Sequence, residues 1–135
     1  MPKAQKRWVR VKVLSAAEKA AITSACERLI ETLRPRFLPE VRPDAYNYPV
    51  AILGKWRGSK YSFITRYRSG HDHNFGAEFD APFARLDYLE EWLSEIRFDV
   101  MWHRHTGQWW RVLTSVPLAD ALHMIETDPV LHPAL

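Results

Sequence analysis

Two alternating segments, Pro49 to Arg57 and Lys60 to Arg68, are separated only by Gly58-Ser59, and this pattern restricts local structure more than any other in the chain. A two-residue link between strands calls for a primed turn, which glycine enters at no steric cost because it has no Cβ to oppose positive φ. The turn sets the register. Arg57 faces Lys60, Trp56 faces Tyr61, Gly54 faces Phe63, Ile52 faces Thr65 and Val50 faces Tyr67. Side chains alternate between the faces of a strand, so Val50, Ile52, Trp56, Tyr61, Phe63 and Tyr67 make one face, predicted to be core. Lys55, Arg57, Lys60, Arg66 and Arg68 all fall on the other, around Leu53 and Ile64.

A second hairpin is predicted from Arg97 to Val116 around Thr106-Gly107-Gln108. With those three residues as the loop, Phe98, Val100 and Trp102 oppose Val116, Thr114 and Val112, and Arg104 faces Trp110. The other face gathers Asp99, Met101, His103 and His105 opposite Ser115, Leu113, Arg111 and Trp109. Alternation also predicts a half-buried strand over Trp8 to Leu14, with Val9, Val11 and Val13 on one side, and a strand over Phe83 to Tyr88 with Ala84, Leu86 and Tyr88 inward. Ser69 to Gly76 reads as a loop, Leu89 to Ile96 as a short helix or loop, and the proline-rich stretch Arg36 to Pro49 as an irregular connector.

Ser15 and Glu18 have capping-box spacing, which opens a helix over Ala16–Arg34 that Pro35 should stop. Its apolar stripe is Ile22, Cys26, Leu29, Ile30 and Leu33. Pro117 opens a second helix over Leu118–Thr127, with Leu118, Ala121, Leu122 and Ile125 on one side. The predicted fold is α+β: an antiparallel sheet of about five strands built from two hairpins, with an N-terminal and a C-terminal helix, in one domain over residues 1–135.

Six Trp, six Phe and five Tyr supply enough apolar surface for a core without a disulfide or metal staple. Cys26 is the single cysteine, which excludes an intrachain disulfide, and its place on the helix stripe predicts a buried, inert thiol. The basic N-terminus shows no signal peptide, and no apolar run approaches the roughly 20 residues of a membrane helix. A cytoplasmic location without a membrane partner is expected. The net charge of +3 is mild, but its distribution is not. The five cations of the first hairpin lie between Asp44 and Asp72 with no acid among them, whereas Asp72 to Asp99 is predominantly acidic.

Among the motifs, Gly54-Lys-Trp-Arg-Gly-Ser-Lys60 departs from the Walker phosphate loop: three residues separate its glycines, Ser precedes Lys, and a strand follows. His71-Asp-His73 with Glu78 has spacing that resembles the first metal motif of cupins, a set able to hold a divalent transition metal; the cupin second motif does not follow, and a solvated polar loop is the favoured reading of the same residues. Glu78 and Asp80 share a strand face and are expected to pair with Arg66 and Arg68. His103, His105, Trp109 and Arg111 share another face, as a cationic aromatic pocket or as exposed polar surface. Gly-x-Ser-x-Gly, Cys-x-x-Cys and His-Glu-x-x-His patterns are absent, and no cofactor is implied. Arg66-Tyr-Arg-Ser-Gly70, Glu78-Phe-Asp-Ala-Pro-Phe-Ala-Arg85 and Arg104-His-Thr-Gly-Gln-Trp-Trp110 resemble strings in a family of small bacterial proteins of uncharacterised function, over the C-terminal two thirds of the chain. The resemblance implies no activity, cofactor or catalytic residue.

The functional expectation is a non-enzymatic binding or interaction module, with a protein partner or self-association answering the basic face. Nucleic acid ranks lower, because the hairpin aromatics sit on the opposite face and leave bases nothing to stack on. A metal-dependent enzyme using His71, His73 and Glu78 is the other alternative.

Overall fold

A computed structural model describes residues 10–38, 47–70 and 76–133. Helix α1 covers Ala16–Phe37; strands β1 (Asn47–Arg57), β2 (Lys60–Ser69), β3 (Glu78–Tyr88), β4 (Phe98–His103) and β5 (Trp109–Val116) follow, then helix α2 (Leu118–Thr127) and a 3-10 turn at Pro129–Leu131. The strands form one antiparallel sheet in sequence order, β1-β2-β3-β4-β5. This is the predicted α+β fold with its five strands and two helices.

The capping box forms as its spacing demands, with the Ser15 N–H donating to Glu18 Oε1 at 2.9 Å and the Glu18 N–H to Ser15 Oγ at 3.1 Å. The helix does not stop at Pro35 but runs to Phe37. Proline removes one backbone bond, yet tertiary contacts hold the last turn. Arg36 donates to the Glu126 carbonyl at 3.0 Å, and the Phe37 ring packs 4.9 Å from that of His132.

The predicted strand before α1 does not form over residues 10–14; Trp8 and Val9 lie outside the described residues. The segment has one ladder-like bond, from Lys12 N–H to the Glu90 carbonyl at 2.7 Å, and the Tyr88 hydroxyl donates to the Lys12 carbonyl at 2.8 Å. Its parity is also reversed. Leu14 is buried, whereas Val11 and Val13 are 47% and 78% exposed.

The first hairpin follows the predicted register from Arg57–Lys60 to Ile52–Thr65. Gly58 takes φ 59°, as a primed turn requires. Beyond Ala51 a bulge makes Val50 the extra residue, so Pro49 rather than Val50 faces Tyr67. A bulge is where a strand accommodates a residue with no N–H to donate. Tyr61, Phe63 and Ile52 are buried as predicted, while Trp56 is only half-buried, its indole N–H donating to Thr23 Oγ1 on α1 at 2.7 Å.

Strand β3 begins at Glu78, well before the predicted Phe83, and contains Pro82. Pro82 is tolerated because β4 pairs with β3 only from Ala84 onward, so no ladder bond is required on that side. A bulge at Phe83 resets the register with β2 and keeps Ala84, Leu86 and Tyr88 inward, as predicted. The Leu89–Ile96 segment is a loop.

In the second hairpin the loop is His105-Thr106-Gly107, one residue earlier than predicted. Gly107, at φ 86°, supplies the left-handed residue that ends a three-residue loop, and the Arg104 N–H donates to the Gln108 carbonyl at 2.8 Å. Trp102 therefore faces Trp110 rather than Val112. Two irregularities then restore the predicted Phe98–Val116 pair and turn Leu113 toward Val100. Ser115, the one non-glycine residue with positive φ (52°) among those described, marks this distortion. Asp99 Oδ1 accepts from both the Ser115 N–H (3.0 Å) and the Thr114 hydroxyl (2.9 Å), and Arg97 donates to the Ser115 carbonyl at 2.6 Å.

Both helices pack on one side of the sheet. Ile22, Cys26, Leu29, Ile30 and Leu33 from α1, and Ala121 and Ile125 from α2, close over Ile52, Tyr61, Phe63, Leu86, Phe98 and Val100. Among the described residues the other sheet face carries no helix, and that face bears the charges.

Candidate anion-binding face

Parity in β1 and β2 carries Lys55, Arg57, Lys60, Arg66 and Arg68 to the helix-free face, as predicted from the turn. Antiparallel pairing with β3 then sets carboxylates against three of them. Arg66 meets Asp80 in a two-pronged contact, Nε to Oδ1 at 2.8 Å and Nη2 to Oδ2 at 3.1 Å. Arg68 donates from Nε and Nη2 to Glu78 Oε2 at 3.1 and 2.7 Å. The Arg66 hydrogen bond is the main cause holding the Asp80 carboxyl below its ordinary value, with Lys55 adding electrostatic help. Lys60 is only loosely answered, 3.9 Å from Asp87. The side chains of Lys55 and Arg57 make no ion pair or hydrogen bond among the described residues, and both residues are exposed.

These three less-satisfied cations rim a concavity of about 650 Å³. Its floor is Ser62, Ile64 and Pro82; Asp80 closes one end and Gly58 the other. Arg85 and Trp109 form the wall facing the cations. Asp87 grips Arg85 at 2.5 and 2.9 Å, and the guanidinium lies 4.3 Å from the centroid of the Trp109 ring. His103, the cross-strand neighbour of Trp109, packs edge-on to the same ring at 4.8 Å. An aromatic residue therefore does stand on the basic face. It comes from β5 and not from the first hairpin, which removes the main objection to an aromatic anionic ligand.

His103, His105, Trp109 and Arg111 do not line one cavity. Trp109 belongs to the concavity just described. His103 and His105 line a separate one of about 290 Å³, with Tyr67, Trp102 and His132. Arg111 lines neither and reaches toward Asp99 at 3.5 Å. His71 and His73 lie outside the described residues, and Glu78 is engaged by Arg68. No group of three His, Cys, Asp or Glu suited to a metal ion occurs among the described residues. Burial pushes the Cys26 thiol up to about 12, so it stays protonated in the core. No described helix is long and apolar enough to cross a membrane.

Sequence reasoning missed Arg85, Pro82, Ser62 and Asp80 as parts of one site with the hairpin cations. Their signal was present: Asp80, Arg85 and Asp87 share a face only once Phe83 is counted as a bulge. No curated protein and no solved structure matches the chain. The family model described as "Domain of unknown function (DUF3024)" matches residues 14–132, which takes in every element and the whole of the charged face, and the chain belongs to that family.

Proposed function

We propose that this chain is a non-enzymatic binding module that receives an anionic partner on the helix-free face of its sheet. The observation that carries the reading is an imbalance of charge in a concave place. Arg66 and Arg68 each have a carboxylate in close contact, whereas Lys55 and Arg57 have none among the described residues and Lys60 has a distant one. Like charges crowded on neighbouring strands repel, and an anion on that rim relieves the repulsion. Among the described residues, the groups on this face are arranged to hold a ligand by charge. The face's carboxylates are committed to arginines, and the thiol is sealed in the core.

Retention on a heparin column, with inorganic polyphosphate as competitor, tests the reading. The wild type should be retained at low salt and released by polyphosphate, and Lys55→Gln/Arg57→Gln should elute early with an unchanged melting temperature. Equal retention of the double variant would place the anion elsewhere and remove the proposal.

A further inference from the structure

We infer that the concavity recognises a nucleotide unit, its phosphate held by Lys55, Arg57 and Lys60 and its base lying against Trp109. The inference rests on the anion-binding reading and narrows it. A bare polyanion uses only the cationic rim. This concavity also has an apolar floor at Ile64 and Pro82 and an indole wall, and an acidic peptide side chain has no flat ring to set against them. The polar groups are segregated along the strands as such a ligand requires. Register places Arg57 and Lys60 at the turn, Lys55 beside Ser62 one step in, Pro82 beside Ile64 next, and Asp80 beside Arg66 at the far end. A phosphate is attracted to the turn end and repelled from Asp80, while the lone pairs Asp80 keeps beyond its Arg66 contact, with the Ser62 hydroxyl, suit the N–H and O–H groups of a base or sugar. The volume, about 650 Å³, lies within the usual range of small-molecule sites.

Trp109 is also prepared for this role. Asp87 holds Arg85, whose guanidinium lies over one face of the Trp109 ring, and His103 packs edge-on to the same ring, so contacts within the protein brace the indole and a base would meet the ring surface they leave open. A base stacked on a pre-ordered ring loses less entropy than one that must order its own platform. Stacking of this kind tolerates any base, so the site selects a nucleotide without reading sequence.

A free nucleotide and a nucleotide within a single strand present the same chemistry. The test is fluorescence anisotropy of a fluorescein-labelled single-stranded RNA oligonucleotide at low salt, with ATP and inorganic polyphosphate as competitors. The wild type should bind. Trp109→Leu should weaken binding by about 5- to 100-fold, Trp109→Phe should keep most of it, and Lys55→Gln/Arg57→Gln should lower the log–log salt slope by about 1.4. Displacement by ATP as effective per nucleotide as by unlabelled RNA identifies the free nucleotide as the ligand; weak displacement by ATP identifies the strand. In the unaltered protein, ATP or RNA should shift the Trp109 indole N–H resonance together with the amides of Lys55 to Lys60. Binding insensitive to Trp109→Leu, with polyphosphate competing as well as RNA and the indole resonance unmoved, overturns the nucleotide inference and leaves the anion-binding face standing. Failure of the wild type to bind RNA, ATP or polyphosphate removes both.

Discussion

The ring of Tyr61 lies across Gly54 on the neighbouring strand, in the space that a Cβ at position 54 would fill. Tyr61 is almost wholly buried and contacts Trp56 and Phe63 edge-on at 5.3 and 5.2 Å, so the ring has nowhere to retreat. Gly54→Ala should therefore overpack the core and cost roughly 1–3 kcal/mol in urea denaturation. Combined with Tyr61→Leu, it should cost less than the two singles added, because the second change vacates the contested space. Strict additivity would mean that the two residues do not compete.

Phe63 sits at the centre of the aromatic row and is fully buried. Phe63→Ala should destabilise by about 3–5 kcal/mol, by loss of transfer free energy and by the cavity left behind. A urea melt superimposable on the wild type would contradict the assignment of the hairpin faces.

Asp99 secures the irregular end of β5 through two hydrogen bonds to one carboxylate oxygen. Asp99→Ala leaves the Ser115 N–H and the Thr114 hydroxyl to find other partners and should cost about 1–3 kcal/mol. Amide exchange should quicken first at Ser115, before any change at the first hairpin.

The Arg66–Asp80 pair predicts a specific acid response. Arg66 holds the folded-state Asp80 carboxyl below its ordinary value of 3.8, so the pair's stabilisation is complete above that value and is lost as pH falls through the lower folded-state value. Carboxyl-detected NMR titration should show the Asp80 midpoint moving upward in Arg66→Gln. Arg66→Glu, which sets like charges across β2 and β3, should lower the urea midpoint at neutral pH.

Removal of divalent metal should leave the melting temperature unchanged, in the wild type and in His73→Ala alike. Elemental analysis after dialysis checks this. A stoichiometric transition metal that survives, and is lost with His73→Ala, would move the chain to the class of metal-dependent enzymes.

The elements read well from sequence where one local rule decided them. Gly58-Ser59 determined both faces of the first hairpin, Ser15 and Glu18 the start of α1, and Pro117 the start of α2. What escaped was every place where an extra residue enters a ladder. Val50, Phe83 and the end of β5 near Ser115 each shift parity, and parity counted along one strand has no knowledge of its partner. Pro82 concealed the first half of β3, because the lack of a partner strand on its β4 side is a tertiary fact. The site suffered from the same blindness. Lys55, Arg57 and Lys60 share a face by alternation, but Trp109 joins them only through Arg85, a basic residue within the predominantly acidic stretch from Asp72 to Asp99.

Every ladder in the sheet joins strands that follow one another along the chain. Each new strand has only a short excursion to make before it reaches an edge already waiting for it, so the entropy of closing long loops hardly enters the search for the sheet. The distant partners are the two helices, whose contacts join opposite ends of the sequence. A chain arranged in this way can zip from the Gly58-Ser59 turn outward and leave for last the docking of α1 on α2, the contact of greatest sequence separation.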